Sequence, residues 1–338
     1  MSVIKSAFGA TTALVLGTLS AQAGGFERSG NPIGALFEKG SYAELSFGTV
    51  APDVSGVIGV PTGDVAGNYF SFGAAYKRDL SDSLSMAIII DQPYGADTDY
   101  STIPIMANLR SQAVSALLRY KFNERFSVHG GLRYVNLDGE LQVGGPVLVY
   151  SADGDLGFVI GGAYEIPDIA LRVALTYFSG TEHTLPSQLP IAAGTINPPQ
   201  SVNLDFQTGI AADTLLFGQI RWADWTDTQV VASAGTPAVV TYREDVITYT
   251  LGVGRKLNEN WSVAASLGYE KAQGGESSRL SPTDGYTSIG LGATYTVDNV
   301  KITGGVRYFD LGDAVTAGPG TFTDNSAVGF GLKVGYTF

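Results

Sequence analysis

In the stretch "AVGFGLKVGYTF" that closes the chain, Val328, Phe330, Leu332, Val334, Tyr336 and Phe338 alternate with Gly329, Gly331, Lys333, Gly335 and Thr337. A period of two predicts a strand whose faces meet different surroundings. The pattern recurs upstream. Phe126, Val128, Leu132 and Tyr134 oppose Ser127, His129, Gly131 and Arg133. Trp261, Val263, Leu267 and Tyr269 oppose Ser262, Ala264, Ser266 and Gly268. About fourteen such segments are predicted. They start near residues 41, 68, 83, 112, 126, 154, 169, 201, 213, 244, 260, 285, 299 and 325.

The connections alternate as well. Short ones at 78–82, 122–125, 165–168, 211–213, 256–259 and 298–299 are rich in Asn, Asp or Pro, which suits tight turns. Longer loops are predicted near 51–66, 92–111, 139–153, 180–200, 227–243, 272–284 and 311–324. An even number of strands joined alternately by short turns and long loops predicts an all-β fold, a transmembrane antiparallel barrel with both chain ends on the short-turn side. Tyrosines such as Tyr76, Tyr120, Tyr249, Tyr269 and Tyr308 end the apolar faces, as an aromatic girdle at a lipid boundary would. A large secreted β-protein would need no such alternation of turn lengths.

Composition supports lipid over a soluble core. The 338 residues include 44 Gly, 17 Tyr and 16 Phe, with 15% charged side chains and no Cys. Mean hydropathy is +0.13, yet the apolar spans of about twenty residues that a helical membrane protein needs are absent. The net charge of −12 argues against a nucleic-acid partner. Near the N-terminus, Lys5 precedes the apolar run "AFGATTALVLGTL", and Ala21-Gln22-Ala23 follows as a cleavage signal. Residues 1–23 are therefore expected to be a cleaved signal peptide, 24–40 a short N-terminal plug and 41–338 the barrel. Export of this kind puts the protein in a bacterial outer membrane.

Several weak motifs, in order, give a family resemblance. "GNPIGALFEKGSYAELSFGTVAPDVSG" places Asn31-Pro32-Ile33 before the first strand and Pro52-Asp53-Val54 at its end. "LTYFSG" resembles the end of a middle strand, "IRWADWTDT" a Trp-containing strand with Trp225, and "YTLGVGRKLNENWSVAASLGYEK" a late hairpin. The chain resembles the FadL-type outer-membrane transporters of long-chain fatty acids and other hydrophobic compounds. That resemblance implies a fourteen-stranded barrel plugged by an N-terminal hatch, here with Phe26, Asn31, Pro32 and Ile33 as its gate. It also implies that Phe338, a terminal aromatic, is read by the outer-membrane assembly machinery. Two departures are the short hatch and the short loops. The fourth loop, "GTEHTLPSQLPIAAGTINPPQS", carries no amphipathic helix, which leaves an outer capture groove unassigned.

No constellation suggests an enzyme. The two histidines are far apart in the predicted barrel, with His129 facing the lumen and His183 in a solvated loop. "GVG" and "GLG" triplets open no helix and are strand glycines. Acids at Asp153 and Asp155, or Asp310 and Asp313, lack the spacing of a calcium loop. No metal or cofactor is expected. Function then rests on the lumen, where Arg119, Arg133, Arg172, Arg221 and Arg307 share the inward face with Glu44, Asp205 and Glu270. These charges either pair with one another and the plug or hold a carboxylate head group. Inward Leu117, Val135, Val159, Phe178, Phe217 and Trp225 offer a lining for an acyl or aromatic tail. The expected function is passive transport of hydrophobic molecules, long-chain fatty acids first, by a monomer seated among outer-membrane lipids. The alternative is a general diffusion porin for small hydrophilic solutes.

Overall fold

The computed structural model describes residues 25–189, 193–318 and 320–338. The predicted signal peptide, with Gly24 after it, lies outside the described residues. Fourteen strands form a closed ring: β1 (Tyr42–Asp53), β2 (Tyr69–Asp79), β3 (Leu84–Asp91), β4 (Ile105–Lys121), β5 (Phe126–Val143), β6 (Leu148–Ile166), β7 (Leu171–Phe178), β8 (Ser201–Ala211), β9 (Thr214–Ala223), β10 (Val246–Lys256), β11 (Trp261–Glu270), β12 (Tyr286–Val297), β13 (Val300–Leu311) and β14 (Asn325–Thr337). Each pairs antiparallel with its sequence neighbours. The last meets the first in the register Tyr42↔Thr337 to Asp53↔Ser326. Closure leaves the ring no edge strand, so most of its backbone donors and acceptors are met within it.

The alternation decides which face is which. On β5, Phe126, Val128, Leu132 and Tyr134 are exposed on the outside, while Ser127, His129 and Arg133 are buried within. The outer surface is an apolar band bounded by two aromatic belts. At the turn end, Tyr336 and Phe338 stack with ring centroids 5.7 Å apart and Trp261 meets Tyr295 at 5.0 Å. At the loop end, Tyr249 faces Tyr269 across β10 and β11.

Strand starts lie within two residues of the predicted ones except at β4 and β6, which begin at Ile105 and Leu148. The loop predicted over 139–153 is correspondingly a four-residue connection at 144–147 between β5 and β6. Beyond the lipid the two faces of a strand no longer meet different solvents, so the period-two signal fades. The ladder continues regardless, as far as Ile105↔Val143. The loop after β3 adds Gly95–Asp99 to the ring as a short strand beside β4, and other loops form two small sheets. One joins His183–Leu185, Gly194–Ile196, Gln229–Val231 and Ala238–Thr241; the other includes Ser55–Val57, Pro61–Asp64 and Gly320–Phe322.

Residues 25–38 are buried or half-buried against inward faces of the ring. Ile33, Leu36 and Phe37 are buried with Ala75, Ala87, Leu117, Val159 and Phe178, all inward positions of β2, β3, β4, β6 and β7. Each large apolar side chain so buried contributes roughly 1.5–3 kcal/mol. A single 3-10 turn, Gly34–Phe37, carries Leu36 and Phe37 together with buried Ala35. Phe37 lies between two cations, with the Arg119 and Arg172 guanidinium carbons 4.5 and 4.6 Å from its ring centroid.

Candidate functional site

The wall of the ring is interrupted at one place. β2 pairs with β1 from Tyr69 to Lys77, but with β3 only from Ala74↔Ile90 to Asp79↔Ser85. Above this, the two sides meet again at an isolated bridge, Ala66↔Thr98. Between them the chain after Asp91 turns into the lumen. Pro93 lacks an N–H to donate to a ladder, which is why a break is tolerated here.

Backbone groups that leave a ladder at membrane depth must find other partners. The inner segment supplies them: the Arg28 N–H donates to Pro93 O at 2.7 Å, and the Gly95 N–H donates to Phe26 O at 2.8 Å. Ser111 on β4 accepts from the Tyr94 N–H at 2.7 Å and donates to Tyr94 O at 2.6 Å. Residues 26–28 are thus paired with 93–95 as a short strand would be.

Polar side chains fix the same corner. Arg133 donates to Asn31 Oδ1 at 2.8 Å, to Asp91 Oδ2 at 3.0 Å and to Ser115 Oγ at 2.8 Å. Ser29 Oγ donates to Asp91 Oδ2 at 2.5 Å. Arg221 pairs with Glu27 and donates to Asn203 Oδ1 at 2.6 Å, while Asn203 donates to Gly30 O at 2.9 Å. Gly30 and Asn31 turn with φ of 63° and 52°, the left-handed region that Gly and Asn enter most readily.

Two cavities flank this corner. The first, at the loop end, takes in roughly 710 Å³ of empty space counting its open mouth. Its walls come from β4, β5, β6 and the loop sheets and include Leu141, Tyr150, Leu185, Ile196, Val240 and Tyr242. Glu140 is the one charged side chain among its lining residues. Its floor is Phe26, whose ring meets Trp225 edge-on at 4.8 Å and Tyr94 at 5.7 Å. Gly25 passes so close to the Trp225 ring that a Cβ there would lie 2.4 Å from it.

The second cavity, roughly 810 Å³ with its mouth, lies at the wall break. Inward-facing Ser46, Ile89 and Asp91 line it together with outward-facing Phe47, Phe72 and Ile90. A single cavity lined from both faces of a sheet passes through the sheet.

The sequence-predicted residues divide among three places. Phe26 and Trp225 stand at the first cavity's floor, and Trp225 occupies a 3-10 turn, Trp225–Asp227, just after β9. Asn31 and Arg133 hold the corner, Pro32 lines the second cavity, and Ile33 packs below it. Arg119 and Arg172 lie toward the turn end. Arg119 pairs with Glu165, and Arg172 donates to Gln207 Oε1 at 3.1 Å. Phe178 and Phe217 are buried inside the ring but line neither cavity. His129 faces inward, as expected, 2.9 Å from Thr176 Oγ1. His183 is not solvated: it is buried, 3.0 Å from Thr181 Oγ1, in the four-stranded loop sheet. Burial lowers its pKa, against the opposite pull of Asp153 and Asp155.

Sequence reasoning missed the loop residues of the first cavity, which share no period. It also missed Asp91, Gln92 and Ser111 at the break. A signal was present for these in "IIIDQPYG", where a proline ends an apolar run.

No protein-family model matches the chain. The Escherichia coli K12 protein YaiT is 31% identical over 113 residues, covering 31% of this chain but only 12% of its own length. Solved structures match almost end to end. A Pseudomonas aeruginosa FadL homologue superposes with a TM-score of 0.76 at 15% identity, covering 98% of this chain and 100% of its own. The Ralstonia pickettii toluene transporter TbuX gives 0.66 at 13%, covering 96% and 98%. The Pseudomonas putida toluene transporter TodX gives 0.67 at 13%, covering 96% and 98%. The chain therefore has the FadL-type barrel fold.

Proposed function

We propose that this FadL-type barrel is an outer-membrane channel for small, uncharged hydrophobic molecules. They enter the loop-end cavity, pass the segment at 25–33, which serves as hatch, and leave through the wall break toward lipid. The carrying observation is the apolar cavity directly above Phe26. Apolar walls reward burial of a hydrophobe by about 25 cal/mol per Å² removed from water, and they offer a hydrophilic solute nothing. A diffusion porin would need a wet lumen in place of this stacked floor.

Among hydrophobes, the cavity favours neutral ones. A fatty acid would bring a carboxylate, and no cation lines the cavity to receive it. The guanidiniums of Arg133 and Arg221 are already engaged by Asp91 and Glu27. The toluene transporters with the same fold fit that preference. Long-chain fatty acids remain the second reading, supported by the FadL homologue's fold alone. Transport is passive, with no chemical step, and one chain suffices because the ring closes on itself. The expected result in proteoliposomes is saturable entry of toluene, slower entry of oleate, and no swelling with sugars. Sugar permeation without toluene entry would hand the function to a porin.

Assembly is part of the same reading. The Phe338 N–H donates to Ser41 O at 2.9 Å, and its ring lies exposed against Tyr336 and Tyr76. An exposed terminal ring is available to the assembly machinery. Deleting Phe338 is expected to lower the folded outer-membrane fraction severalfold on heat-modifiability gels. Undiminished folded protein would remove that role.

A further inference from the structure

At the wall break, one side chain does what the backbone no longer does. The β2–β3 register ends at Ala74↔Ile90. Two residues further along each strand, Phe72 stands where it would face Gln92. The Gln92 backbone has turned inward toward Pro93, but its side chain reaches back, and Oε1 accepts the Phe72 N–H at 2.8 Å. Gln92 lines the second cavity beside Phe72, Ser71 and Asp91. Its amide therefore lies across the opening that cuts the wall.

We propose that Gln92 is a side-chain latch on this opening, a positioning residue that governs which hydrophobes pass and how fast. The proposal rests on the transport reading above. With the latch closed, the Phe72 donor is satisfied and lipid chains meet an amide where the wall is missing. Swinging the amide aside needs rotation about side-chain bonds alone, which is fast, and no movement of the ring. The donor it uncovers then faces a cavity with polar walls at Ser46, Ser71 and Asp91, so opening breaks one ordinary hydrogen bond.

Three proteins test this: the parent, Gln92→Met and Gln92→Glu. Methionine keeps the length and removes the acceptor; glutamate keeps an acceptor oxygen. Gln92→Met is expected to raise the initial rate of toluene entry into proteoliposomes by about fivefold, the change that loss of one hydrogen bond supports. It is also expected to narrow the preference for toluene over a bulkier aromatic such as naphthalene. Gln92→Glu is expected to keep the parent's size preference. In parallel, hydrogen exchange at the Phe72 amide, read by NMR in nanodiscs, is expected to be slow in the parent and Gln92→Glu and fast in Gln92→Met. An unchanged or lowered rate in a folded Gln92→Met barrel overturns the latch, as does Gln92→Glu behaving like Gln92→Met. Absence of toluene entry in the parent overturns the transport reading instead. The amide exchange still decides in that case, since equal protection in all three proteins means that no latch exists.

Discussion

Deleting residues 25–33 is expected to convert a nearly silent barrel into a steady ionic pore, with conductance rising by an order of magnitude and discrimination among hydrophobes lost. Phe26, Asn31 and Ile33 of this segment are all buried. Barrels of this strand number enclose more space than their own inward side chains fill. The inward positions here include many small ones, such as Ala75, Ala87, Ala163 and Ala174. The ring should survive the deletion, because its fourteen strands pair with one another, and the Pro93 and Gly95 backbone groups that the segment meets pass to water entering the lumen. The Gly34–Phe37 turn stays anchored between Arg119 and Arg172. Glu27, Ser29 and Asn31 leave with the deleted residues, and water entering the lumen can solvate Arg221 and Arg133. Planar-bilayer recording checks this. Unchanged conductance in a deletion variant that still shows the folded gel mobility would refute the hatch.

Replacing Arg133 with Met is expected to destabilise the barrel by about 3–5 kcal/mol, the usual consequence of stripping one member from a buried ion pair. Asp91 would be left as a buried charge without its cation, since its side chain is only 5% accessible and that of Arg133 only 7%. Among the described residues Asp91 Oδ1 meets no hydrogen-bond donor, so the carboxylate depends on Oδ2 and its bonds to Arg133 and Ser29. The same substitution frees Asn31 Oδ1, which loosens the left-handed turn at Gly30 and Asn31. Urea titration in detergent micelles, followed by tryptophan fluorescence, measures the loss. The Arg133→Met, Asp91→Leu double variant is expected to recover most of it, because no unpaired charge remains. Equal instability of the single and double variants would mean that the pair does not carry the effect.

The strands were legible because lipid and lumen impose opposite chemistry on alternate residues for the whole height of the membrane. Phe126 and Arg133 could be assigned to opposite faces of β5 from parity alone. Above the lipid that constraint ends, and the upper halves of β4, β5 and β6 read as loop although their ladders continue. The inward arginines were legible as inward but not as pairs. Arg221 meets Glu27 across 194 residues, and no local pattern encodes such a distance. His183 looked solvated because it follows a strand end among polar residues. It is buried because four short segments from two loops build a sheet around it. The loop-end cavity was illegible for the same reason: Leu185, Ile196, Val240 and Tyr242 converge only once those segments pair. At the wall break, Pro93 announced the end of the ladder, while the answering contacts of Ser111 and Gln92 needed coordinates.

In the transport route proposed above, the apolar cavity above Phe26 is where a hydrophobic ligand is held. Anomalous diffraction from crystals grown with bromobenzene tests it directly. The expected result is a bromine peak enclosed by Tyr150, Leu185, Ile196 and Val240, at the cavity that those side chains line, and its loss on substituting Ile196→Glu. Bromine found only on the lipid-facing surface, with the cavity empty in both proteins, would contradict it.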